Sequence, residues 1–404
     1  MIKRTLQELC LNITDGKHGD CENKENSGYY FISCKDIFDG QINYKNARQI
    51  TKADFEETHK RTMLEVDDIL LTNSGTIGRM AFVTDREATT KTTFQKSVAI
   101  IKPDKQKVLP RYLYYQLQNC VPQFINSSNG SAQKNLLLST MRTFQIEIEE
   151  NREKQEKIAN TLSAYDDLIE NNQKQIKLLE EAAQRLYKEW FVDLRFPEHE
   201  NTKIVDGVPE GWKKNCAEKF FEITIGKTPP RTEKRCFTTG KNGIPWVSIA
   251  DMGNSGMFVL NTAEDLTDDA IKQYNVKVIP KNAVLLSFKL TVGRVAIAPN
   301  DICTNEAIAH FKGRRECERE YTYFYLKNFH YDELGSTSSI SKAVNSKIIK
   351  AMPFIMPSEK LLKEYSSKTK DIFDLIICKQ KMDNNLKIAR DRILHKLMSG
   401  EVEV

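Results

Sequence analysis

Two stretches of the chain carry apolar residues at the spacing of a long amphipathic helix. Positions 131–196 and 358–399 contain neither glycine nor proline. Because these two residue types interrupt regular structure most strongly, both stretches are predicted to be long helices. In the first, a seam with steps of four and three connects Ile158, Leu162, Tyr165, Ile169, Asn172, Ile176, Leu179, Ala183, Leu186 and Trp190.

The second stretch continues this spacing with more polar members. A helix from Ile158 to Trp190 would be about 50 Å long and needs a partner that buries its apolar stripe. The second helix offers that partner in an antiparallel pair. Its three charged seam positions are interpreted as lying near an end or edge of the contact or facing another subunit. Asn172 of the first seam either sets the register or is exposed. The second seam consists of Tyr365, Thr369, Ile372, Ile376, Lys379, Asp383, Leu386, Arg390, Ile393 and Leu397.

Short apolar and aromatic runs characterise the other two parts of the chain, about 1–150 and 200–357. The runs 98–101 and 283–286 are typical of β-strands. The aromatic runs 112–115 and 321–325 are interpreted as amphipathic helices that pack into domain cores, rather than as surfaces that stack on bases. The predicted order is therefore globular part, helix, globular part, helix.

The two halves of the chain are copies of one another. In the globular parts, 70–81 aligns with 285–296 at an offset of 215 residues. Eight residues of the first helical stretch recur 207 positions later: Asp167, Leu168, Ile169, Gln173, Lys174, Leu179, Ala182 and Arg185 recur as Asp374, Leu375, Ile376, Gln380, Lys381, Leu386, Ala389 and Arg392. Further pairs in the same order are Gly16-Lys17 with Gly226-Lys227, Ser33 and Asp36 with Ser248 and Asp251, and Met141, Phe144, Ile146 and Ile148 with Ile349, Met352, Phe354 and Met356. The sequence is thus a tandem duplication, each copy being a globular domain followed by a long helix.

A duplicated protein is suited to a pseudo-symmetric target, or to two copies of one partner. Duplex DNA is such a target, because two readers about 34–36 Å apart meet the same face of the double helix. Helices of about 50 Å are long enough to act as the spacer between two such readers.

Composition narrows the class of protein. The 404 residues are 40% hydrophobic and 28% charged, as in an ordinary globular protein, and the net charge of +5 permits nucleic-acid binding without requiring it. No apolar run is long enough to cross a membrane and the N-terminus lacks a signal peptide, so a cytoplasmic protein is expected. The nine cysteines include no C-x-x-C pair, so reduced, mostly buried thiols and no metal site are expected.

The motifs of common catalytic sites are missing from the sequence. It has no Asn-Pro-Pro-aromatic motif of an adenine methyltransferase, no glycine-rich cofactor loop and no ATP-binding P-loop. No local spacing suggests a nucleophile beside a base. Three hypotheses remain: a DNA-binding specificity protein, a non-catalytic protein–protein scaffold with a coiled-coil core, and an enzyme whose site is too dispersed to recognise.

Several short sequence motifs, in this order and with this duplication, resemble those of one protein family. They are Gly75-Thr76-Ile77-Gly78-Arg79, the phrase 130–136, the start of the first helix at 153–158, Pro209-Glu210-Gly211-Trp212, and the Gly-Lys-Thr-Pro of 226–229. Over nearly its whole length the chain resembles the specificity subunit of a type I restriction–modification system. The second copy departs from the first, with Leu290 in place of Gly75 and with the phrase 338–342 in place of Gln-Lys-Asn. These departures leave the loop conformation of the second copy open, and they fit two domains that read different half-sites.

The resemblance implies an α+β fold. Two pseudo-symmetric mixed α/β target-recognition domains, 1–150 and 197–357, would be separated by two long antiparallel coiled-coil helices, 151–196 and 358–404. Each domain would read one half of a split site in double-stranded DNA, and the helices would fix the spacer and dock two methyltransferase subunits that modify adenine at N6. Restriction subunits would add ATP-driven translocation and cleavage. The chain would hold no active site and no cofactor, since S-adenosylmethionine, ATP and Mg would belong to the partner subunits.

Candidate contact residues follow from the loops and from the helix seam. The G-x-x-G-R turn is a tight hairpin, a loop whose arginine approaches phosphate, or both. Lys134 and Asn135 have side chains suited to guanine and adenine edges, with a β-turn as the alternative. The candidate DNA-binding residues are Lys17, His18, Asn73, Ser74, Thr76, Arg79, Lys134, Asn135, Lys227, Thr228, Lys289, Thr291, Arg294 and Lys342. The candidate partner-binding residues are Ile158, Leu162, Ile169, Asn172, Ile176, Leu179, Leu186, Ile376, Leu386 and Ile393.

Overall fold

The computed structural model describes residues 1–128, 134–240, 242–334 and 345–403. The chain packs as two compact units: unit 1 is Met1–Leu168 with Lys387–Val404, and unit 2 is Ile169–Leu386. Each long helix therefore contributes one part to each unit. The boundaries predicted at 150, 196 and 357 follow the sequence repeat and stay a prediction, whereas the packing divides the chain within the helices.

Unit 1 combines small β-sheets with helices. Its strands are β1 (Ile2–Thr5), β2 (Cys10–Asp15), β3 (Tyr30–Ile32), β4 (Ile37–Phe38), β5 (Gln41–Ile42), β6 (Arg48–Gln49), β7 (Ile69–Thr72), β8 (Met80–Phe82), β9 (Thr92–Phe94), β10 (Val98–Pro103) and β11 (Gln145–Ile148). Its helices are α1 (Lys52–Thr62), α2 (Arg86–Thr89), α3 (Pro110–Asn119), α4 (Val121–Asn126), α5 (Leu138–Thr143) and the first part of α6 (Arg152–Tyr187). The main sheet is antiparallel, in the order β2-β10-β7-β8, and a smaller sheet has the order β6-β3-β9.

The central strand of the main sheet is buried on both faces. Val98, Ala99, Ile100 and Ile101 of β10 are all inaccessible to solvent. Alternate residues enter two separate cores, because Ala99 and Ile101 belong to one apolar cluster and Val98 and Ile100 to another. Burial on both faces explains why this strand is an unbroken apolar run in the sequence instead of an alternating one.

Unit 2 repeats this plan. Its strands are β12 (Ile204–Val205), β13 (Val208–Pro209), β14 (Lys213–Cys216), β15 (Glu222–Ile225), β16 (Phe237–Thr238), β17 (Ile244–Val247), β18 (Glu264–Leu266), β19 (Val284–Ser287), β20 (Val295–Ile297), β21 (Cys303–Thr304), β22 (Ile308–Lys312) and β23 (Pro353–Met356). Its helices are α7 (Ile249–Asn254), α8 (Asp268–Tyr274), α9 (Arg319–Lys327), α10 (Ser346–Ala351) and most of α11 (Glu359–Met398). The main sheet is again antiparallel, in the order β15-β22-β19-β20.

The duplication seen in the sequence is present in the topology. In each copy an early strand pairs with the strand that precedes the long helix: β1 with β11, and β14 with β23. A parallel pair also recurs, β3 with β9 and β17 with β21. The Asp36 carboxylate accepts hydrogen bonds from the backbone N–H and hydroxyl of Ser33 at 2.9 and 2.7 Å, and Asp251 accepts the same two from Ser248 at 2.8 and 2.7 Å.

The aromatic runs pack into the cores, as predicted. The run 112–115 lies on α3 and the run 321–325 on α9. Tyr112 and Tyr115 in unit 1, and Tyr321 and Phe324 in unit 2, are almost completely buried. These side chains therefore stabilise the two domains and are not available to stack on bases.

The two long helices pair antiparallel within each unit. In unit 1, Ile158 and Leu162 of α6 share an apolar core with Leu394 and Leu397 of α11. In unit 2, Ala183 of α6 lies in the same core as Phe373 of α11, and α6 ends in a single π-helical turn, Lys188–Val192. The predicted coiled-coil pair is confirmed, and each part of it is completed by the core of a globular domain.

The three charged seam positions lie inside the contact, which corrects their predicted placement near an end or edge of it or towards another subunit. Arg390 and Lys379 contact residues of α6, and Asp383 is buried. Arg390 Nη1 donates to Asp166 Oδ1 at 2.7 Å, and the Tyr115 hydroxyl donates to Asp166 Oδ2 at 2.6 Å. Burial first, and then the Asp166 carboxylate, raise the pKa of Tyr115 far above its usual range, so the hydroxyl keeps its proton.

A second polar pair joins the helices in unit 2. Lys379 Nζ donates to Asn172 Oδ1 at 3.4 Å, and Asn172 is buried. The two residues are separated by 207 positions, the offset of the repeat, so each faces its own counterpart from the other copy. This contact supports the reading of Asn172 as a residue that sets the register of the pair.

The polar cluster of unit 1 has an apolar counterpart in unit 2. By the repeat, Tyr115, Asp166 and Arg390 correspond to Phe324, Phe373 and Ala183. The Phe324 and Phe373 rings pack at 5.8 Å between centroids, and all three residues lie in one buried cluster. The same position in the fold is thus filled by an ion pair in one unit and by packed rings in the other.

Removing one partner of the ion pair is expected to destabilise the protein. Asp166→Ala leaves the partly buried Arg390 guanidinium with only the exposed Asp391 carboxylate, which costs about 2 kcal/mol of unfolding free energy. Replacing all three residues with their unit 2 counterparts (Tyr115→Phe, Asp166→Phe, Arg390→Ala) is expected to recover part of this loss.

Urea unfolding followed by circular dichroism measures both effects. Lys363→Ala, which removes an exposed ion pair with Glu359 on α11, serves as the control and is expected to leave the unfolding free energy unchanged. Wild-type stability of Asp166→Ala would contradict the structural role of the pair.

Candidate nucleic-acid interface

In unit 1, the loops that hold most of the candidate DNA contacts emerge at one end of the main sheet. Strand β2 ends at Asp15 opposite Ala99, and β7 ends at Thr72 opposite Val98. The Lys17 amide donates to the Phe94 carbonyl at 2.8 Å, the Asn73 amide to Ser97 at 3.0 Å, and the Leu136 amide to Asn73 at 2.7 Å. We call residues 16–18, 73–79, 95–97 and 134–136 the unit 1 loop surface. It brings together Lys17, His18, Asn73, Ser74, Thr76, Arg79, Lys134 and Asn135.

Unit 2 builds the corresponding surface with the same contacts. The Lys227 amide donates to the Thr304 carbonyl at 2.9 Å, and the Phe288 amide donates to Ala307 at 2.9 Å. The Thr228 hydroxyl donates to the Glu306 carboxylate. We call residues 226–228, 288–294 and 305–307 the unit 2 loop surface. This surface contains the candidate residues Lys227, Thr228, Lys289, Thr291 and Arg294. The remaining candidate, Lys342, lies outside the described residues.

The glycine that opens each surface is required by close packing. A Cβ atom on Gly16 would lie 1.9 Å from the Phe94 carbonyl oxygen, and one on Gly226 would lie 2.1 Å from that of Asn305. Both distances are far below van der Waals contact, so only glycine allows the loop to cross the neighbouring strand connection. This close approach explains why both copies have glycine before the shared lysine.

The G-x-x-G-R hairpin is held by equivalent hydrogen bonds in both copies. The Thr72 hydroxyl donates to the Thr76 carbonyl at 2.5 Å and accepts from the Arg79 amide at 2.9 Å. In unit 2 the Ser287 hydroxyl donates to Thr291 at 2.5 Å and accepts from the Arg294 amide at 3.0 Å. Gly75 has φ +80° and Leu290 has φ +62°. The departure at Leu290 thus keeps these hydrogen bonds and the positive φ, and the unit 2 loop adds one from the Thr291 amide to the Lys289 carbonyl at 2.7 Å.

Several candidate cations are held by partners within the protein. Lys17 Nζ lies 3.2 Å from carboxylate oxygens of both Asp54 and Glu57, and the hydrogen bond with Glu57 is the main cause that raises the pKa of Lys17. Lys227 Nζ donates to the Tyr274 carbonyl at 2.6 Å. These two lysines are therefore oriented by their own domains, and the charge of Lys17 is neutralised.

His18 and Asn73 are also tied to their surroundings. His18 Nε2 lies 2.9 Å from Asp15 Oδ2, and the buried Asp15 carboxylate also accepts from Arg61. Asn73 is buried, and its backbone connects the 95–97 and 134–136 segments. Asn73 therefore supports the unit 1 loop surface from below instead of forming its outer face.

The two arginines of the hairpins differ. Arg79 has an exposed side chain. Arg294 is half-buried, and its Nη1 donates to the Ile249 carbonyl at 2.7 Å while the guanidinium lies against Gly253. Exposed cations on the two surfaces are Arg79, Lys96, Lys134, Lys227 and Lys289, and of these Lys227 is held by the Tyr274 carbonyl.

The third loop of each surface contains no residue that was predicted from the sequence to contact DNA. Residues 95–97 precede β10, and residues 305–307 precede β22. Their offset of 210 also relates Gly16 to Gly226, so the alignment of the two copies contains the signal that would have found them. Lys96 and Glu306 are the charged residues added in this way.

The helix residues proposed for partner binding line the contact inside the chain, which corrects their assignment to an external partner. Five of them are buried: Ile158, Leu162, Ile169, Asn172 and Ile376. The other five are half-buried: Ile176, Leu179, Leu186, Leu386 and Ile393. A heptad seam is satisfied by the neighbouring helix, so a second protein contacts other faces. The exposed apolar side chains on α6 and α11 are Leu168, Leu178, Leu375, Met382 and Ile388.

His310 is the most buried histidine among the described residues, and its contacts indicate a structural role. Its Nδ1 lies 2.9 Å from the Thr224 hydroxyl and its Nε2 lies 2.6 Å from that of Thr304. Burial lowers its pKa to about 3, so the ring is neutral and links β15, β21 and β22. The described ranges contain no cluster of three metal-ligating side chains and no helix apolar enough to span a membrane.

Comparison with known proteins matches both copies. A family model described as the type I restriction modification DNA specificity domain matches residues 3–181 and again 209–386. The chain is 28% identical to the type I restriction enzyme MjaIX specificity subunit of Methanocaldococcus jannaschii, over 93% of this chain and 87% of that protein. It is 24% identical to the HindI specificity subunit of Haemophilus influenzae, over 75% of this chain and 80% of that protein.

A solved structure has the same fold. The crystal structure of the S subunit of a type I restriction–modification system from M. genitalium covers 98% of this chain and 95% of its own, with a TM-score of 0.57 at 14% identity. These matches favour the DNA specificity role over the protein–protein scaffold that the sequence left open. Because the family model matches most of the chain, once in each copy of the repeat, the chain belongs to the family of type I restriction–modification DNA specificity subunits.

Proposed function

We propose that the unit 1 and unit 2 loop surfaces each read one half of a bipartite site in double-stranded DNA. One observation carries this proposal: the two copies build the same three loops at the same end of the sheet with equivalent hydrogen bonds, yet differ in several side chains, such as Ser74 against Lys289 and Lys96 against Glu306. Shared geometry with different side chains is what two readers of different half-sites require.

The exposed side chains divide into two kinds of contact. Arg79, Lys96, Lys134 and Lys289 carry the charge that neutralises phosphates and positions each domain. Asn135 is half-buried, and its backbone pairs with Ser74 in an isolated antiparallel β-bridge. Its side-chain amide is suited to the edge of an adenine. Lys17 and Lys227 are oriented by protein partners, so we assign them to support of the loops.

Members of this family supply specificity without catalysis and assemble with other subunits. For this chain we propose two methyltransferase subunits that modify adenine at N6, together with restriction subunits where the system cuts DNA. S-adenosylmethionine, ATP and Mg would be bound by those subunits. The exposed apolar side chains of α6 and α11, including Leu178 and Met382, offer contact surface for them because they face away from the helix seam.

Single-molecule sequencing of the source genome tests this function directly. With the gene present, N6-methyladenine is expected at one interrupted, asymmetric motif; in a strain lacking the gene, methylation of that motif is expected to disappear. Reintroducing the gene serves as the control. An unchanged methylation pattern in the deleted strain, with the methyltransferase genes expressed, would contradict the proposal.

The two hairpin arginines make a matched test of phosphate contact. In the complex with its methyltransferase subunits, Arg79→Ala is expected to reduce the slope of log affinity against log salt by about 1, since one phosphate contact is lost. Arg294→Ala removes the contact with the Ile249 carbonyl, so it is expected to lower the thermal midpoint and leave the slope unchanged.

Fluorescence anisotropy with labelled duplex across a salt series gives both slopes, and differential scanning fluorimetry gives the midpoints. An Arg79→Ala complex with the wild-type slope would overturn the phosphate assignment for that residue.

A further inference from the structure

The tip of the unit 2 hairpin combines an exposed apolar side chain with a left-handed backbone. Leu290 is 95% exposed, and its φ is +62°. Within the described ranges no other large apolar side chain is so accessible; the next is Leu11, at 73%. Both features are unfavourable for an isolated domain, because water surrounds the side chain and the Cβ atom crowds the following carbonyl.

The fold does not need this leucine. The equivalent residue in unit 1 is Gly75, and the hairpin there makes the same hydrogen bonds through Thr72 that unit 2 makes through Ser287, with no side chain at that position. Glycine also adopts positive φ without steric cost. A leucine that makes no contribution to the loop and strains its backbone therefore points to a contact made outside the chain.

The surroundings of Leu290 indicate the chemistry of that contact. Lys289 and Thr291 on either side are exposed, and Glu306 on the neighbouring loop lies in the field of Lys289 and Arg231. Thr228 holds the Glu306 carboxylate. An apolar tip flanked by a cation and hydroxyls matches a DNA groove, where phosphates border base edges and thymine methyl groups, better than it matches an apolar protein surface.

We propose that Leu290 contacts the apolar surface of a base in the half-site read by unit 2. The surface is either a thymine methyl group or the face of a base exposed when the side chain enters a base step. This inference rests on the proposed function, and it assigns a specificity-determining residue that has no equivalent side chain in unit 1.

Four variants of the full chain, each in complex with its methyltransferase subunits, test the proposal on duplexes that carry the methylated motif. Leu290→Gly and Leu290→Ala are expected to weaken binding about tenfold, whereas Leu290→Met is expected to stay close to wild type. Leu290→Gly is also expected to raise the thermal midpoint, because glycine removes the strain at φ +62°. Leu11→Ala, on exposed β2 surface, is the matched control and is expected to bind as wild type.

Modified duplexes distinguish the two surfaces. If the contact is a thymine methyl group, replacing that thymidine with deoxyuridine is expected to weaken binding of the wild type as much as Leu290→Ala does. The same replacement is expected to leave the affinity of Leu290→Ala unchanged. If the side chain enters a base step, 2-aminopurine at that step brightens on binding of wild type and not of Leu290→Ala.

Two outcomes overturn the inference. One is Leu290→Gly that binds the motif with wild-type affinity; the other is Leu290→Gly that loses binding only because it fails to assemble with the methyltransferase subunits. Failure of the proposed function is separate and is recognised when wild type itself shows no salt-dependent preference for the motif.

Discussion

Burial of the two helix seams against each other is the constraint on which the rest of the structure depends. Neither seam is complete without the other helix, and neither globular core is complete without both. The core of unit 1 includes Ile158 from the middle of the chain and Leu397 from its end. Folding of the first domain therefore requires a segment that lies after the second domain in the sequence, which explains why the packing units divide the helices.

Polar residues in the seam make the two helices different from one another. Arg390 requires Asp166, and the residue that corresponds to Arg390 in the first helix is Ala183, which offers only a methyl group. Lys379 likewise meets the amide of Asn172 instead of a second lysine. The pairing of unlike helices is thus favoured by specific contacts, in the way that a buried polar residue selects register in coiled coils.

Local patterns predicted much of this structure because the forces behind them are local. The absence of glycine and proline predicted α6 and α11, the apolar runs predicted β10 and β19, and the repeat predicted that both units share one plan. The convergence of the loops was not visible locally, because it depends on strand order: residues 16–18 meet 95–97 only through the pairing of β2 with β10.

Side-chain partners distant in the sequence account for the remaining differences. Lys17 was predicted to contact DNA, yet its ammonium group contacts Asp54 and Glu57 of α1, which lie 37 and 40 residues away in the sequence. Arg294 looked equivalent to Arg79, yet a carbonyl 45 residues away holds it. The heptad pattern identified the seam and the helix that covers it. It carried no information about which other faces of the helices stay exposed, so seam residues were listed as the partner-binding candidates.

The most direct measurement of the central claim is the methylated motif produced by a variant altered on one loop surface only. Lys134→Ala with Asn135→Ala changes unit 1, and Thr291→Ala changes unit 2. Each variant, expressed with its methyltransferase subunits in a strain lacking the native gene, would be compared with wild type by single-molecule sequencing. The first variant is expected to accept additional bases at positions in one half of the motif, and the second variant at positions in the other half. Changes by both variants in the same half would contradict the assignment of one half-site to each unit.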